Sequence, residues 1–234
     1  GLVVRISVYP IVEVPAQWKE LSDTIKLEAS VPATAEEITK TLEDLQKSRA
    51  TKDADGKDVL PELNDEFAKS LGAFESMDAL REQINKGITE EKVRATADRR
   101  RGKLIEALLE KSNLEVPSVF VDSELSKILA QMSEDVERMG MTMDDYLKRT
   151  NKTEDDIKND FRDQARKRAK LQLLLNKMAE DEKVVADETA IEMEMKHALE
   201  HFPEAKPDLV KIHIETVLRN EQVLKLLEGA GKKE

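Results

Sequence analysis

Most of the chain repeats apolar residues at intervals of three and four positions, which is the period of an amphipathic helix. The first such run follows Thr34, where Thr34 and Glu37 have the spacing of a capping box, and it predicts a helix over 34–50. The longest run predicts a helix over 76–112 whose apolar residues cluster at its two ends, since the middle, 89–103, offers only Val93 and alanines. We therefore expect a mainly α protein with an elongated multi-helix body.

The second half of the chain predicts two helical arms on this body. The first arm covers about 117–181, and Thr142 and Thr153 are the expected capping residues of two of its helices. The second arm covers about 187–228 and is a helical pair whose second helix starts near Pro207.

The residues before the first helix show a different pattern. Many of them are β-branched, and apolar and polar positions partly alternate. Residues 2–14 predict one short strand or extended segment, which Pro10 limits to a sheet edge. Residues 15–31 predict an extended connector. The predicted division is a residual strand and extended linker over 1–33, a linker helix and junction over 34–58, and a helical domain over 59–234.

The composition of the 234 residues narrows the function classes. Aromatic residues make up 3%, and 49 acidic against 38 basic side chains give a net charge of −11. This charge argues against direct nucleic-acid binding, and no aromatics interleave with the basic runs Arg99–Arg101 and Arg166–Arg168. No run reaches the roughly 20 apolar residues that span a bilayer, and the opening segment lacks a signal-peptide pattern. We expect no contact with a membrane.

No cofactor, metal site or catalytic activity is expected either. The chain has no cysteine, which removes thiolate chemistry and Cys-ligated metals. His197 and His201 have the i, i+4 spacing of a metal pair, but Ala198 stands where the zincin motif needs Glu, and no third ligand is evident. Acidic pairs such as Asp144 and Asp145 lie near helix starts, where they suit the helix dipole. No nucleophile elbow or phosphate-binding glycine loop occurs.

Four segments occur in an informative order: VLPELNDEFAKSLG at 59–72, LEVPSVFVDSEL at 114–125, ADE at 186–188 and VLRNEQVLKLL at 217–227. Their order and spacing resemble trigger factor, a family of bacterial ribosome-associated chaperones. The resemblance implies a substrate-binding chaperone domain over 59–234 that carries the two arms. It also implies a cytoplasmic protein that binds nascent or unfolded polypeptides without ATP.

The chain also departs from the pattern of this family. Nothing matches the Gly-Phe-Arg loop of the ribosome-docking domain, and residues 1–14 are similar only to the last strand of that domain. Residues 50–57 occupy the place where the family has its FKBP-type prolyl isomerase domain. We therefore expect no isomerase activity, and contact with the ribosome only through the missing domain. Because the first residue is Gly1 rather than Met, a processed or cloned fragment is expected.

We choose candidate contact residues for unfolded polypeptides, the clients of a chaperone, by their apolar spacing and their position in the family. Methionine is flexible and polarizable and adapts to many apolar partners, although such stripes more often belong to a core. Elongated helical hairpins have little interior, so part of the apolar surface stays accessible. The candidates are Met132, Val136, Met139, Met141, Tyr146 and Leu147 on the first arm, and Met195, Leu199, Phe202, Leu209 and Ile214 on the second.

Two other functions fit the same pattern. In a structural or assembly module, the apolar stripes pack on one fixed partner or on a second copy. Self-association would then use residues 2–14 or the apolar arms, because an unpaired strand edge invites pairing between chains. The third interpretation is a periplasmic chaperone of the SurA type, which has a similar helical body.

Overall fold

The computed structural model of the chain describes residues 9–53 and 56–229, and this part is mainly α-helical. The prediction of a mainly α fold is confirmed. The helices are α1 (Leu21–Thr24), α2 (Ala35–Ser48), α3 (Asp65–Leu71), α4 (Met77–Lys111), α5 (Ser118–Arg138), α6 (Met143–Thr150), α7 (Glu154–Asp181), α8 (Glu188–His201) and α9 (Pro207–Leu227). A single 3-10 turn, Trp18–Glu20, precedes α1 in the described ranges.

Threonine side chains fix the starts of three helices. At α2, the N–H of Glu37 donates to the Thr34 hydroxyl at 3.3 Å, and the N–H of Thr34 donates to the Glu37 carboxylate at 2.8 Å. This is the predicted capping box. Thr142 and Thr153 accept the equivalent backbone hydrogen bonds at α6 and α7. The predicted starts of all three helices are confirmed.

The ends of α5, α6 and α7 share one left-handed closing turn. After α5, Gly140 has a φ of 74°, and the N–H of Met141 donates to the carbonyl of Val136 at 3.2 Å. Asn151 and Lys183 take the position of this glycine after α6 and α7, each with a φ of 53°. The turn pairs carbonyls that the helix end leaves open, and glycine adopts it without a steric cost.

The sequence predicts a polar turn over 53–57. In the structure, a short antiparallel pair of strands lies on either side of this segment. Strand β1 (Thr51–Lys52) pairs with β2 (Asp58–Val59). The N–H of Asp53 donates to the carbonyl of Lys57 at 3.0 Å. Strands of two residues carry too few positions for an alternating pattern, so the sequence gives no sign of them.

The described residues form two compact units, each with its own core. The smaller unit is Lys26–Gly102, and the larger combines the residues up to Ile25 with those from Lys103 onward. The helix α4 contributes to both, which explains why its large apolar residues lie at its two ends. Those in the core of the smaller unit are Met77, Leu80 and Ile84, and those in the larger are Leu104, Ile105, Leu108 and Leu109. The predicted division into 1–33, 34–58 and 59–234 stays a prediction.

In the smaller unit, α2 and the residues before it are tied to α4 by polar contacts. The N–H of Ala33 donates to the Thr89 hydroxyl at 3.3 Å. The Lys92 ammonium donates to the carbonyl of Pro32 at 3.2 Å and to the Glu37 carboxylate at 2.6 Å. Glu37 thus serves both the capping box and a bridge between two helices.

This double role lowers the pKa of Glu37 from 4.5 to about 2, because Lys92 and then the N–H of Thr34 donate to the ionised carboxylate. A lowered pKa in the folded chain means that the carboxylate contributes stability above pH 4.5, which is lost as the pH falls to about 2. A carboxyl NMR titration should give this low midpoint. Lys92→Met should raise it toward 4.5, and Lys40→Met, on the exposed side of α2, should not. An ordinary midpoint in the unchanged chain would contradict the bridge.

The N-terminal residues are part of the core of the larger unit. Val12, Trp18 and Leu21 are buried together with side chains of α4, α7 and α9. The prediction of an extended connector over 15–31 is therefore wrong for Trp18–Thr24, which forms helical turns. Residues 9–14 form no strand, and the rest of the predicted strand 2–14 lies outside the described residues.

Candidate functional site

The first arm consists of α5, α6 and α7. α5 packs against α7 through an apolar cluster, and Arg162 of α7 bridges Asp122 of α5 at 3.4 Å. The buried members of the cluster are Val121, Leu125, Ile128 and Ala165. After the turn at Gly140, α6 lies against α5. Among the large apolar residues of this arm, Met139 beside this turn and Val119 near the start of α5 are exposed.

The structure divides the predicted contacts of the first arm into three groups. Met139 is 62% exposed. Met132, Met141, Tyr146 and Leu147 are half-buried. Val136 is only 2% exposed, because it continues the face of α5 that Leu125 and Ile128 turn into the arm. Val136 supports the arm from inside and is removed from the candidate contacts.

A shallow cavity of about 310 Å³ lies where α6 meets α7. Leu147 lines it together with Lys148 and Lys152. The Lys152 ammonium contacts the Asp160 carboxylate at 2.6 Å, and this hydrogen bond raises the pKa of Lys152. The cavity lining is therefore mixed, because Leu147 is apolar whereas Asp144, Lys148 and Lys152 are charged.

The second arm is the pair α8 and α9. The two helices share a small core of Ala186, Ile191 and Ile214, with Met195 and Val210 packed at its edge. Outside this core, the Lys211 ammonium of α9 meets the Glu188 carboxylate of α8 at 2.8 Å. This hydrogen bond raises the pKa of Lys211.

Among the predicted contacts of the second arm, Phe202 and Leu209 are the most accessible, at 69% and 62% exposed. Met195 and Leu199 are half-buried. Ile214 is 9% exposed and belongs to the core between α8 and α9, so it offers no surface to a partner. It is therefore removed from the candidate contacts, as Val136 is.

α9 also exposes apolar residues that the sequence-based choice missed. Ile212 is 60% and Val217 is 50% exposed, and both lie close to Leu209 along the helix. Together with His213, these three residues form the α9 band. Periodicity separates Leu209 and Ile212 from the Val210–Ile214–Leu218 stripe, but only the structure shows that this stripe faces α8. Met193 of α8, 63% exposed, is likewise outside the predicted set.

Four polar side chains, Gln172 and Asn176 of α7 with Arg219 and Asn220 of α9, form hydrogen bonds between the two helices. We call this set the polar seam. Arg219 donates to the side-chain carbonyl of Asn176 at 2.8 Å, and Asn220 donates to that of Gln172 at 3.0 Å. Gln172 in turn donates to Asn176 at 2.9 Å. Arg219 Nε and Asn220 Oδ1 are buried without a hydrogen-bond partner. Beyond the seam, Val223 enters the core of the larger unit.

The described residues show no arrangement of three or more His, Cys, Asp or Glu side chains that could hold a metal ion. His197 and His201 are exposed on α8. No helix within the described ranges combines the length and apolar character that crossing a membrane requires. What the two arms offer chemically is accessible apolar surface framed by charged side chains.

The chain also matches a known protein family over most of its length. Residues 76–229 match the family described as the C-terminus of bacterial trigger factor protein. The chain belongs to this trigger factor family. The resemblance inferred from the sequence motifs is thereby confirmed, and the match is to the C-terminal domain rather than to the prolyl isomerase domain. The matched residues include both arms.

Individual relatives agree with the family match. The trigger factor of Alkaliphilus metalliredigens (strain QYMF) is 29% identical over 170 residues, which are 73% of this chain and 39% of that protein. The trigger factor of Lysinibacillus sphaericus (strain C3-41) is 34% identical over 152 residues, which are 64% of this chain and 35% of that protein. The chain thus spans little more than a third of the length of these curated relatives.

A solved structure of the trigger factor chaperone, from work on promiscuous substrate recognition in its folding and assembly activities, also aligns with the chain. The alignment covers 94% of this chain and 73% of the solved chain. The sequence identity is 17% and the TM-score is 0.47.

Proposed function

We propose that the chain is an ATP-independent chaperone unit of the cytoplasm, which binds exposed apolar segments of unfolded or nascent polypeptides. The observation that carries this proposal is the exposure of large apolar side chains on both arms. Met139, Met193, Phe202, Leu209 and Ile212 are each at least 60% exposed. The membership of residues 76–229 in the trigger factor family supports a chaperone role for these arms.

The energetics favour several weak contacts over one strong site. A fully buried large side chain contributes about 1.5–3 kcal/mol, whereas micromolar binding needs about −8 kcal/mol net. Ordering a flexible client offsets part of the contact energy. A client must therefore touch several of these side chains at once, and the polypeptide that links its apolar segments provides avidity. Each contact dissociates rapidly, so release needs no nucleotide.

The proposed contact set follows from exposure. Its centre is formed by the five exposed residues named above, together with Val217 of the α9 band. The half-buried residues form its edges, where a client is expected to contact part of each side chain. These edge residues are Met132, Met141, Tyr146 and Leu147 on the first arm, and Met195 and Leu199 on the second.

The test removes apolar surface from the α9 band and leaves the core intact. The double variant Leu209→Ser with Ile212→Ser should suppress the aggregation of a chemically denatured client several-fold less than the unchanged chain does, without nucleotide. Val93→Ser is the matched control, because Val93 is a helical residue of the smaller unit and is 46% exposed. It should leave the suppression unchanged. Equal suppression by the double variant, with an unchanged circular dichroism spectrum, would remove the band from the proposal.

A dedicated assembly module remains a second candidate, because Tyr9 and Ile11 are 59% and 88% exposed near the start of the described chain. Such a module would bind one partner or a second copy, and would not suppress the aggregation of unrelated clients. Sedimentation velocity over a range of concentrations measures self-association directly. A stable dimer without chaperone activity would favour this second function.

A further inference from the structure

The eight methionines of the chain differ in how far their side chains are exposed. Met77 and Met178 are buried in the cores of the two units, and Met178 is 0% exposed. Met139 and Met193 are exposed, one on each arm. The remaining four are half-buried, and all of them lie on the arms: Met132, Met141, Met143 and Met195. An oxidant in water therefore reaches the sulfur atoms of the arms before those of the cores.

The surface of the chain offers few competing targets to an oxidant. The sequence has no cysteine, whose thiolate is oxidised most readily among the side chains. The single tryptophan, Trp18, is 7% exposed. Methionine thioethers, which oxidise to sulfoxides, are therefore the most readily oxidised groups on the arms.

The two methionines on either side of Gly140 have different surroundings. The sulfur of Met141 accepts a hydrogen bond from Arg149 Nη1 at 3.2 Å. This contact engages a sulfur lone pair, which is what an oxidant must attack. Met139 is more exposed, and its N–H donates to the carbonyls of Asp135 and Val136, which fixes its backbone at the end of α5. Met139 is therefore the primary target on the first arm, and Met141 reacts more slowly.

We propose that Met139 and Met193 are reversible oxidation sites for a hypohalous acid, and that their sulfoxides weaken the binding of apolar segments to the arms. The inference rests on the proposed function of the arms. With hypochlorous acid, the sulfur lone pair attacks chlorine and releases hydroxide. Water then displaces chloride from the sulfur and loses two protons. The sulfur is oxidised by two electrons, and the chlorine is reduced to chloride.

A sulfoxide changes the surface that a client meets. Its S–O group is polar and hydrated, so covering it with an apolar segment removes that hydration without replacing the hydrogen bonds. Because the proposed binding depends on several weak contacts, damage to one contact on each arm also reduces the avidity. The buried Met77 and Met178 keep their thioethers, so the cores stay intact. Oxidation therefore lowers client binding without unfolding the chain.

The experiment treats the full chain with a small excess of hypochlorite and stops the reaction with free methionine. Tandem mass spectrometry then locates the added oxygen, which should appear first at Met139 and Met193, later at Met141, and not at Met178. Calorimetry with a blocked peptide of Leu, Phe and Ser should show an affinity about three- to tenfold lower after treatment. Methionine sulfoxide reductases A and B together reduce both sulfoxide epimers and should restore the affinity. A loss that they do not reverse would overturn the inference.

Two double variants separate the exposed methionines from the half-buried ones. Leucine has a similar volume and forms no sulfoxide. Met139→Leu with Met193→Leu should therefore keep most of its affinity after treatment. Met132→Leu with Met195→Leu is the matched control and should lose affinity as the unchanged chain does. Each variant is compared with its own untreated sample, and equal relative losses in the two variants would overturn the inference.

The same measurements distinguish this inference from the proposed function. If the untreated chain does not bind the peptide, or if Leu209→Ser with Ile212→Ser binds it equally tightly, the proposed function fails at the α9 band. If the untreated chain binds but complete oxidation of Met139 and Met193 leaves the affinity unchanged, only the oxidation role fails. Circular dichroism checks the fold after treatment. A changed spectrum together with oxygen at Met178 would show that the chain unfolds, which also overturns the inference.

Discussion

Replacing Trp18 with alanine should lower the free energy of unfolding of the larger unit by about 3–5 kcal/mol, the usual cost of truncating a buried large aromatic side chain. Trp18 is 7% exposed and lies in the same core as side chains of α4, α7 and α9. Its neighbour Lys19 meets the Glu182 carboxylate at 2.6 Å, which ties this segment to the end of α7. The truncation therefore leaves a cavity where three distant parts of the chain meet.

Urea denaturation followed by circular dichroism measures this change without relying on Trp18 fluorescence. Trp18→Phe should cost less, because the phenyl ring fills part of the space. Ile11→Ala is the matched control in the same segment, since Ile11 is 88% exposed, and should stay within about 0.5 kcal/mol of the unchanged chain. A Trp18→Ala variant as stable as this control would show that the N-terminal segment does not belong to the core.

Lys170→Met should destabilise the larger unit by about 1–3 kcal/mol, because it removes the ammonium that donates to two carbonyl groups at the end of α4. The Lys170 ammonium donates to the carbonyl of Leu109 at 2.8 Å and to that of Ser112 at 2.6 Å. Leu109 lies in the last turn of α4, where its carbonyl otherwise accepts only a long hydrogen bond, at 3.4 Å, from the N–H of Ser112. Methionine retains the apolar stem of lysine, so the variant removes the ammonium with little change in packing.

Lys167→Met is the control for this substitution, since Lys167 lies on the same helix and is exposed. It should change stability by less than about 0.5 kcal/mol. Chemical denaturation of both variants gives the comparison. If the two variants were equally stable, water would be an adequate replacement for Lys170 at the end of α4.

Local signals made the helices predictable from the sequence. The threonine caps placed the starts of α2, α6 and α7, and Pro207 placed the start of α9. Such signals depend on residues within one turn of each other. The helical turns of Trp18–Thr24 depend instead on a core formed by residues far away in the chain. The apolar residues of that short segment give too little periodicity to predict helical turns.

The candidate site was predictable only in part. The sequence led to Met139, Phe202 and Leu209, which the structure leaves accessible. It also led to Val136 and Ile214, which are buried. Periodicity shows which residues share a side of a helix, but it does not show which side another helix covers. α9 has apolar residues on two sides. This is why the sequence led to Ile214, which is buried, and did not lead to Ile212, which is exposed.

The polar seam between α7 and α9 has a consequence for exchanging arms between related chaperones. Aliphatic side chains can still pack when one helix shifts by a turn along the other. Specific hydrogen bonds between amide and guanidinium groups cannot form after such a shift. A slip would separate Arg219 from Asn176 and Asn220 from Gln172. A graft of α8 and α9 onto a homologous scaffold would therefore need these four residues transferred as a set to keep the register of α9 on α7.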